Sequence, residues 1–269
     1  GEVIPVEIGI GTKLFEENPE VCYTLEKSDL SKFLPDRKKK SHKGSYGKIL
    51  MITGSKGMSG AAYLSARAAY ISGGGLVQIY TEESNRTILQ QLLPEAIVST
   101  YTEYEEEKLQ SLMKWADVIC IGCGLGKSRT AGQILSYLMK YAEVPCVIDA
   151  DGLNLLADHM ELLPKEKKPF VLTPHMKEMA GLLGCTIPEL GKNRFAALKE
   201  FTDSYGVVCA LKDARTLVAG KDRQMFLNTA GNSAMAKAGS GDVLAGVITG
   251  LLAQHMKVYE GTVLGVYLH

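Results

Sequence analysis

A glycine-rich turn that contains an aspartate gives this sequence its clearest chemical signal. Gly239, Ser240 and Gly241 precede Asp242, and a run of mainly apolar residues follows. A helix that begins at such a turn has unpaired backbone N–H groups at its N-terminus, where the helix dipole favours negative charge. The turn therefore predicts an anion hole for a phosphate, formed by residues 239–241.

Asp242 predicts catalysis at this turn rather than binding alone. A bound phosphate repels a carboxylate, so Asp242 is explained if it accepts a proton or holds a metal ion near a reacting phosphoryl group. Aspartate is also among the best N-cap residues. The alternative is therefore that Asp242 only caps a helix that begins at Val243.

Polar residues after other apolar runs are further candidates. Asp149 and Asp151 follow one run, and two carboxylates this close could share a magnesium ion, although turn formation and helix capping explain them equally well. His175 follows another run, and a lone histidine is more often structural than chemical. Glu178, one helical turn further on, orients His175, contacts a ribose or caps the helix.

Two glycine-rich loops match neither of the common nucleotide-binding motifs. Loop 54–60 lacks the Gly-Lys-Ser/Thr ending of a P-loop, and loop 122–126 has G-x-G-x-G spacing where a dinucleotide fingerprint needs G-x-G-x-x-G. Tight turns packed close to a sheet explain both loops. Segment 212–216 is typical of a hairpin turn between two strands, and turn chemistry alone explains its polar residues.

Short β-rich runs alternate with helix-like segments through the middle of the chain. Strands that are apolar on both faces predict a mostly parallel sheet covered by helices on both faces, which is an α/β fold. Ligands of such sheets gather at the carboxyl ends of the strands. The predicted strands are residues 48–53, 76–80, 118–121, 146–149, 170–173 and 207–211.

Composition excludes several functional classes. The chain has 269 residues, of which 46% are hydrophobic and 22% charged, enough for a core in one large domain. Its net charge of zero argues against a nucleic-acid partner. No apolar run reaches the ~20 residues that span a bilayer, and no signal peptide is evident, so we expect a cytoplasmic protein without a membrane partner. Six scattered cysteines favour reduced thiols, and Cys120 and Cys123 lack the second ligand pair of a zinc site.

The two ends of the sequence differ from its middle. Residues 2–10 are typical of a short strand, and a polar connector follows up to about Lys43. This pattern predicts that residues 1–42 are a strand and linker remnant of a preceding domain, and that residues 43–269 form one domain. The apolar run ending at His269 has no stop signal, so we expect truncation at the C-terminus.

Several segments resemble a known family. The turn at 239–242 resembles the anion-hole signature of ribokinase-like proteins, and NTAGNSAMAKAGSGDVLAG at 228–246 closely resembles the ADP/ATP-dependent NAD(P)H-hydrate dehydratases. Four more segments resemble that family in the same order: HKGSYGKILMITGSKGMSGAA at 42–62, IGCGLGKS at 121–128, VIDADGLNLLA at 147–157 and LTPHMKEMAGLLG at 172–184. The resemblance implies a ribokinase-like three-layer sandwich.

The resemblance also implies roles for individual residues. Asp242 would be the catalytic base. The hydrated dinucleotide would contact Ala61, Gly124, His175 and Asp242, and the nucleotide site would comprise Lys212, Asp213, Ala214, Arg215, Thr216 and Gly241. The family usually has glycine where Asp213 stands, and aspartate tolerates the left-handed backbone that this requires. Cys123 stands where proline is frequent, and we expect it to change only the stiffness of the loop.

The implied reaction is dehydration of hydrated NADH or NADPH (S epimer), with ADP or ATP as co-substrate and Mg²⁺ as cofactor. The C6 hydroxyl would be phosphorylated and then lost as phosphate. The resemblance further implies a homotetramer and, in bacterial members, an N-terminal epimerase domain on the same polypeptide. Two alternatives remain open: a ribokinase-like kinase that phosphorylates a small vitamin alcohol, and a non-catalytic nucleotide sensor.

Overall fold

A nine-stranded sheet forms the centre of the part of the chain that the computed structural model describes, residues 21–35, 37, 39–165 and 168–269. Its strands lie in the order β3-β2-β1-β4-β5-β6-β7-β8-β9. All neighbouring pairs from β3 to β7 are parallel, whereas β8 is antiparallel to both β7 and β9. The strands are β1 (Lys48–Ile52), β2 (Leu76–Glu82), β3 (Ile97–Tyr101), β4 (Val118–Ile121), β5 (Cys146–Ile148), β6 (Phe170–Leu172), β7 (Val208–Leu211), β8 (Leu217–Gly220) and β9 (Phe226–Leu227).

Helices cover both faces of this sheet. Alternate residues of β1 enter different cores: Ile49 and Met51 pack on one face, while Leu50 and Ile52 pack on the other. Because every second side chain points to the opposite face, a strand buried on both faces must be apolar throughout. The helices are α1 (Leu30–Phe33), α2 (Ser59–Ile71), α3 (Arg86–Leu92), α4 (Glu106–Trp115), α5 (Arg129–Tyr141), α6 (Asp151–Ala157), α7 (Met176–Leu183), α8 (Ile187–Lys192), α9 (Arg194–Tyr205), α10 (Ser240–Ala253) and α11 (Val258–Leu268).

The predicted α/β architecture is confirmed. Each of the six predicted strands is present, with ends displaced by at most two residues. Segment 212–216 is a hairpin turn, since Leu211 pairs with Leu217 across the antiparallel β7 and β8. All six cysteines are free in the structure.

Helix α10 packs unusually close to α2. A Cβ added at Gly246 would lie 2.1 Å from the carbonyl oxygen of Ser65, and one added at Gly250 would lie 2.5 Å from that of Ala69. Real Cβ atoms do not approach carbonyl oxygens so closely, so glycine is required at both positions. This contact fixes the N-terminal end of α10, which carries the predicted anion hole, relative to α2.

The N-terminal segment contributes contacts at the far edge of the sheet. The predicted strand at residues 2–10 lies outside the described residues. Within the predicted connector, Tyr23 donates its N–H to the Met225 carbonyl at 3.0 Å, its ring lies 5.4 Å from that of Phe226, and Leu25 is buried. Part of the connector therefore packs against β9. In the residues described, no helix combines the length and apolar character needed to cross a bilayer.

Candidate active site

The candidate site lies where the carboxyl ends of five parallel strands meet the N-terminus of α10. Backbone hydrogen bonds hold the loops after these strands together: Gly54 N–H donates to Cys123 O at 2.9 Å, and Lys212 N–H donates to Pro174 O at 2.7 Å. The residues predicted at the ends of β4, β5, β6 and β7 therefore gather at one edge of the sheet, as expected for this class of fold.

Helix α10 begins within the glycine-rich turn, before Asp242, and not at Val243 as it would if Asp242 were the N-cap. Gly239 is the N-cap with φ of 86°, the helix begins at Ser240, and Asp242 is its third residue. A side chain at Gly239 would meet both an unfavourable backbone conformation and Leu64, whose Cδ1 would be 2.5 Å from an added Cβ. The alternative in which Asp242 caps a helix from Val243 is therefore wrong. The Ser240 N–H donates to the Lys237 carbonyl at 3.3 Å, so an anion site here depends on the other amides of the first helical turn.

A buried ion pair lies directly beneath this turn. Lys212 Nζ is 2.7 Å from Asp149 Oδ1, and the two side chains are only 20% and 2% exposed. Gly241 lies against the pair: an added Cβ would be 3.4 Å from Lys212 Nζ and 3.6 Å from Asp149 Oδ2. Burial lowers the pKa of Lys212, but Asp149, with smaller contributions from Glu178 and Cys123, outweighs this effect and the pKa is raised overall. The lysine is therefore a fixed cation beside the predicted phosphate site.

Asp242 has the environment of a proton acceptor. Burial raises its pKa, the charge of Asp149 raises it further, and a hydrogen bond from Cys123 and the charge of Lys212 partly oppose this. A carboxylate with a raised pKa binds protons more tightly than a free aspartate, as general-base catalysis near neutral pH requires. The expectation that Cys123 affects only loop stiffness is wrong, because its buried thiol also lies 4.0 Å from Asp149 Oδ2.

The loop after β4 requires its glycines. Gly122 has φ of 119°, and an added Cβ would lie 1.9 Å from the Asp149 carbonyl oxygen. Gly124 has φ of 61° and lies against α2, with an added Cβ 2.7 Å from that of Ala61. Ala61 and Gly124, both predicted to contact the dinucleotide, are therefore in contact with each other. Asp151 accepts a hydrogen bond from the Gly126 N–H at 2.8 Å, so this carboxylate stabilises the loop.

His175 caps α7 and remains accessible. Its Nδ1 accepts from the Glu178 N–H at 3.1 Å, and Glu178 Oε2 accepts from the His175 N–H at 2.8 Å, which is a reciprocal capping box. The other ring nitrogen, Nε2, is 3.4 Å from Glu178 Oε1, and the histidine side chain is 51% exposed. Glu178 therefore both caps the helix and orients the histidine, two of the three roles that the sequence left open. Burial raises the pKa of Glu178, and nearby Lys212 opposes that shift.

The predicted nucleotide segment extends from this site to the surface. Asp213, Ala214 and Arg215 are exposed, in contrast to Lys212. The left-handed backbone expected at Asp213 is wrong, since its φ is not positive. Asp213 pairs with Arg194 at 2.6 Å, and Arg215 donates to the Thr229 carbonyl. The Asn228 N–H donates to the Thr216 carbonyl at 2.8 Å. The hairpin is thus fastened to the loop that leads into α10.

Sequence reasoning missed the link between Asp149 and Lys212. The two residues are 63 positions apart, and the sequence suggests a magnesium ion as the ligand of Asp149 but a nucleotide as the ligand of Lys212. Their strands, β5 and β7, flank β6, so knowledge of the strand order would have indicated the pair. Across the described part of the chain, no three His, Cys, Asp or Glu side chains converge to hold a metal ion.

The comparisons with known proteins agree with this geometry. A family profile described as NAD(P)H-hydrate dehydratase matches residues 49–269. The chain belongs to the NAD(P)H-hydrate dehydratase family. The resemblance found in the sequence is thereby confirmed.

Individual members of the dehydratase family support the assignment. An ADP-dependent (S)-NAD(P)H-hydrate dehydratase of Neisseria meningitidis is 39% identical over 238 residues, covering 87% of this chain and 78% of the relative. The chain spans about half the length of other curated relatives: 52% of a bifunctional NAD(P)H-hydrate repair enzyme of Moorella thermoacetica, at 36% identity over 277 residues.

Solved structures confirm the fold of this dehydratase-family chain. A ribokinase-like superfamily protein of Enterococcus faecalis superposes with a TM-score of 0.84 at 32% identity, covering 91% of this chain and 85% of that one. An ADP/ATP-dependent NAD(P)H-hydrate dehydratase of Bacillus subtilis, co-crystallised with ATP and Mg²⁺, superposes with a TM-score of 0.75 at 31% identity, covering 90% of this chain and 85% of that one. The expected ribokinase-like fold is confirmed.

Proposed function

We propose that this chain removes water from hydrated NADH or NADPH (S epimer), driven by phosphoryl transfer from ADP or ATP. The observation that carries the proposal is the position of Lys212 Nζ against Gly241, the residue that directly precedes Asp242 in the first turn of α10. A fixed cation, helix-terminal amides and a carboxylate of raised proton affinity are the parts that phosphoryl transfer to an alcohol requires.

The chemistry follows from the poor leaving ability of the hydroxyl group. Asp242 would take the proton of the C6 hydroxyl while its oxygen attacks the terminal phosphorus of the nucleotide, releasing AMP from ADP or ADP from ATP. The C6–O bond would then break, phosphate would leave, and the neighbouring ring carbon would lose a proton as the double bond reforms. Because the transition state of phosphoryl transfer is loose, positioning and charge stabilisation contribute more than the base.

The positions of the residues support the proposed roles. Residues 239–241 would hold the transferring phosphoryl group through their amides, and Lys212 would neutralise part of its charge. Residues 212–216, with Gly241, would bind the nucleotide, since they run from this cation to the surface. Ala61, Gly124 and His175 would line the dinucleotide pocket, where the small residues leave room for its rings.

Magnesium is proposed as a companion of the nucleotide. Asp149 is engaged by Lys212 and Asp151 by the Gly126 amide, so the two carboxylates considered for a shared ion have other partners. Mg²⁺ in phosphoryl-transfer sites is held by one or two carboxylates and the substrate phosphates. Asp242 is the carboxylate that would reach it, and the ion would supply positive charge to the phosphoryl oxygens.

The remaining parts of the proposal concern the whole protein. We propose a homotetramer and, because relatives of about twice this length are named bifunctional, an epimerase domain on the same polypeptide. The free cysteines favour a reducing compartment, so the proposed location is the cytoplasm. Sedimentation tests the tetramer, and the full reading frame tests the second domain.

One coupled assay tests the proposed activity. The chain is incubated with hydrated NADH, ADP and Mg²⁺, and recovery of NADH absorbance is followed together with phosphate release. Dehydration predicts that NADH and phosphate appear in equal amounts. A stable phosphoester without NADH would instead support a kinase, and ligand-induced thermal stabilisation without phosphate release would support a sensor.

A further inference from the structure

The ion pair between Asp149 and Lys212 is more tightly constrained than packing requires. The Asp149 N–H donates to Ile121 O at 3.0 Å, and its carbonyl accepts from Gly152 N–H at 2.9 Å. Ala150, the next residue, has φ of 50°, a conformation that residues other than glycine rarely adopt. Such strain persists only where the surrounding structure imposes it, and it clusters at functional sites.

The carboxylate of Asp149 has two contacts that lead toward the anion hole. One oxygen is 2.7 Å from Lys212 Nζ, and the other is 4.0 Å from the Cys123 thiol. The carboxylates that interact with Lys212 are Asp149, Glu178 and Asp242, with a further contribution from Cys123. Asp149 is the one of these with a direct hydrogen bond to the ammonium group, so it determines where the ammonium group lies.

A lysine ammonium group has three N–H donors on a long, flexible side chain. One donor engages Asp149, and the group lies against Gly241, where the backbone carries no side chain. The other donors can therefore reach an anion at the first turn of α10 without loss of the Asp149 contact. A cation fixed in advance stabilises developing charge without reorganisation when the phosphoryl group arrives.

We propose that Asp149 is a positioning residue that holds the Lys212 ammonium group at the anion hole, so that the group is already in place when the nucleotide phosphates bind. This inference rests on the proposed function, in that the anion is the terminal phosphate of ADP or ATP. Asp149 itself does not contact the nucleotide. Its effect on binding passes through Lys212.

A double-mutant cycle on nucleotide affinity tests this coupling. Calorimetric titration with ADP and Mg²⁺ compares the 269-residue wild-type chain with Asp149→Asn, Lys212→Met and the double variant. We expect Asp149→Asn to weaken ADP binding by about tenfold or more, because a charge-assisted hydrogen bond fixes the lysine. The double variant should bind ADP no more weakly than Lys212→Met alone. If the two losses instead multiply, or if Asp149→Asn binds ADP as the wild type does, the proposal is overturned.

Asp117→Asn is the matched control. Asp117 Oδ2 accepts from the Lys48 N–H at 2.9 Å, so this change also removes a carboxylate that holds a neighbouring group, but at the start of β1 and β4. Its ADP affinity should equal that of the wild type. Circular dichroism checks the fold of every variant. Should Asp149→Asn fail to fold, the double variant leaves no unpaired buried charge, and weaker ADP binding by it than by Lys212→Met would still overturn the proposal.

The outcomes also separate this inference from the proposed activity. ADP binding is measured without hydrated NADH, so a wild type that binds ADP but never restores NADH would reject the dehydratase while leaving the coupling intact. Conversely, if the enzyme is active but the losses of ADP affinity in the two single variants multiply in the double variant, only the positioning role of Asp149 is rejected. The same four proteins are also titrated with inorganic phosphate. If the coupling between Asp149 and Lys212 acts at the anion hole, phosphate affinity should show the same non-additive pattern as ADP affinity.

Discussion

Ser240 Oγ lies 3.3 Å from His269 Nε2, which joins the first residue of α10 to the residue that follows α11. Burial lowers the pKa of His269, a hydrogen bond to the Ser240 backbone opposes this, and the charge of Lys212 lowers it again. The imidazole is therefore neutral at neutral pH. A neutral ring can orient the Ser240 hydroxyl group without adding a charge to the anion hole.

His269→Gln should reduce the loss of stability at acidic pH. In the folded chain the pKa of His269 lies below its ordinary value of about 6.5, so the unfolded chain binds more protons as the pH falls through that value. Folding stability is then unaffected above pH about 6.5 and decreases below it. Thermal unfolding between about pH 7.5 and about pH 5.5 should show a smaller decrease in Tm for the variant. His159→Gln, a change at a largely exposed side chain, should keep the wild-type decrease.

Asp242→Asn should lower turnover by roughly 10²- to 10⁴-fold, which is the range for loss of a general base. Affinity for ADP in the absence of Mg²⁺ should be nearly unchanged, since the amides of residues 239–241 and Lys212 are retained. In the wild type the acidic limb of the kcat/KM profile should lie above the ordinary aspartate pKa of about 3.9, because burial and Asp149 raise the pKa of Asp242. Near-normal turnover of hydrated NADH by this variant would exclude the role of Asp242.

Cys123→Ala should move that acidic limb to higher pH. The thiol hydrogen bond lowers the pKa of Asp242, so its removal makes the carboxylate bind protons more tightly. Cys123→Ser retains a hydroxyl donor and should move the limb less. Cys209→Ala, at another fully buried cysteine, should leave the profile in place. An unchanged limb in Cys123→Ala would mean that the thiol does not act on Asp242.

Gly246→Ala should destabilise the fold by about 1–3 kcal/mol, the usual cost of overpacking. The added methyl group would lie 2.1 Å from the Ser65 carbonyl oxygen, so α10 must move away from α2. ADP binding should weaken with it, because the anion hole begins the same helix. Gly132→Ala in α5 is the control: an added Cβ there meets nothing within 4 Å, so chemical denaturation should show equal or greater stability.

The sequence was sufficient to predict the central strands but not all of the sheet. The apolar runs that became β1, β4, β5, β6 and β7 are buried on both faces, so their pattern is continuous and easy to recognise. Strand β3 was missed because it lies at an edge, where Ile97 is 46% exposed and serine and threonine follow. Strand β9 has only two residues and shows no periodicity of its own.

The candidate site was predictable where its signal is local. The start of α10 follows from adjacent glycines, whereas the pairing of Asp149 with Lys212 depends on strand order, which short-range patterns do not contain. The same holds for Cys123, whose thiol also acts on Asp149 at the end of β5 and on Asp242 in α10. Residue roles that depend on contacts between distant segments therefore required the fold.

The glycine contacts between α10 and α2 limit how this site can diverge. Since Ala61 lies near the start of α2 and the amides proposed to hold the phosphate begin α10, the two helices transmit any displacement to each other through Gly246 and Gly250. A mutation that enlarges the ring pocket by shifting α2 would thus also disturb the catalytic turn. New acceptor specificity should arise more readily from side chains in the loop after β6, which can change without moving this rigid pair.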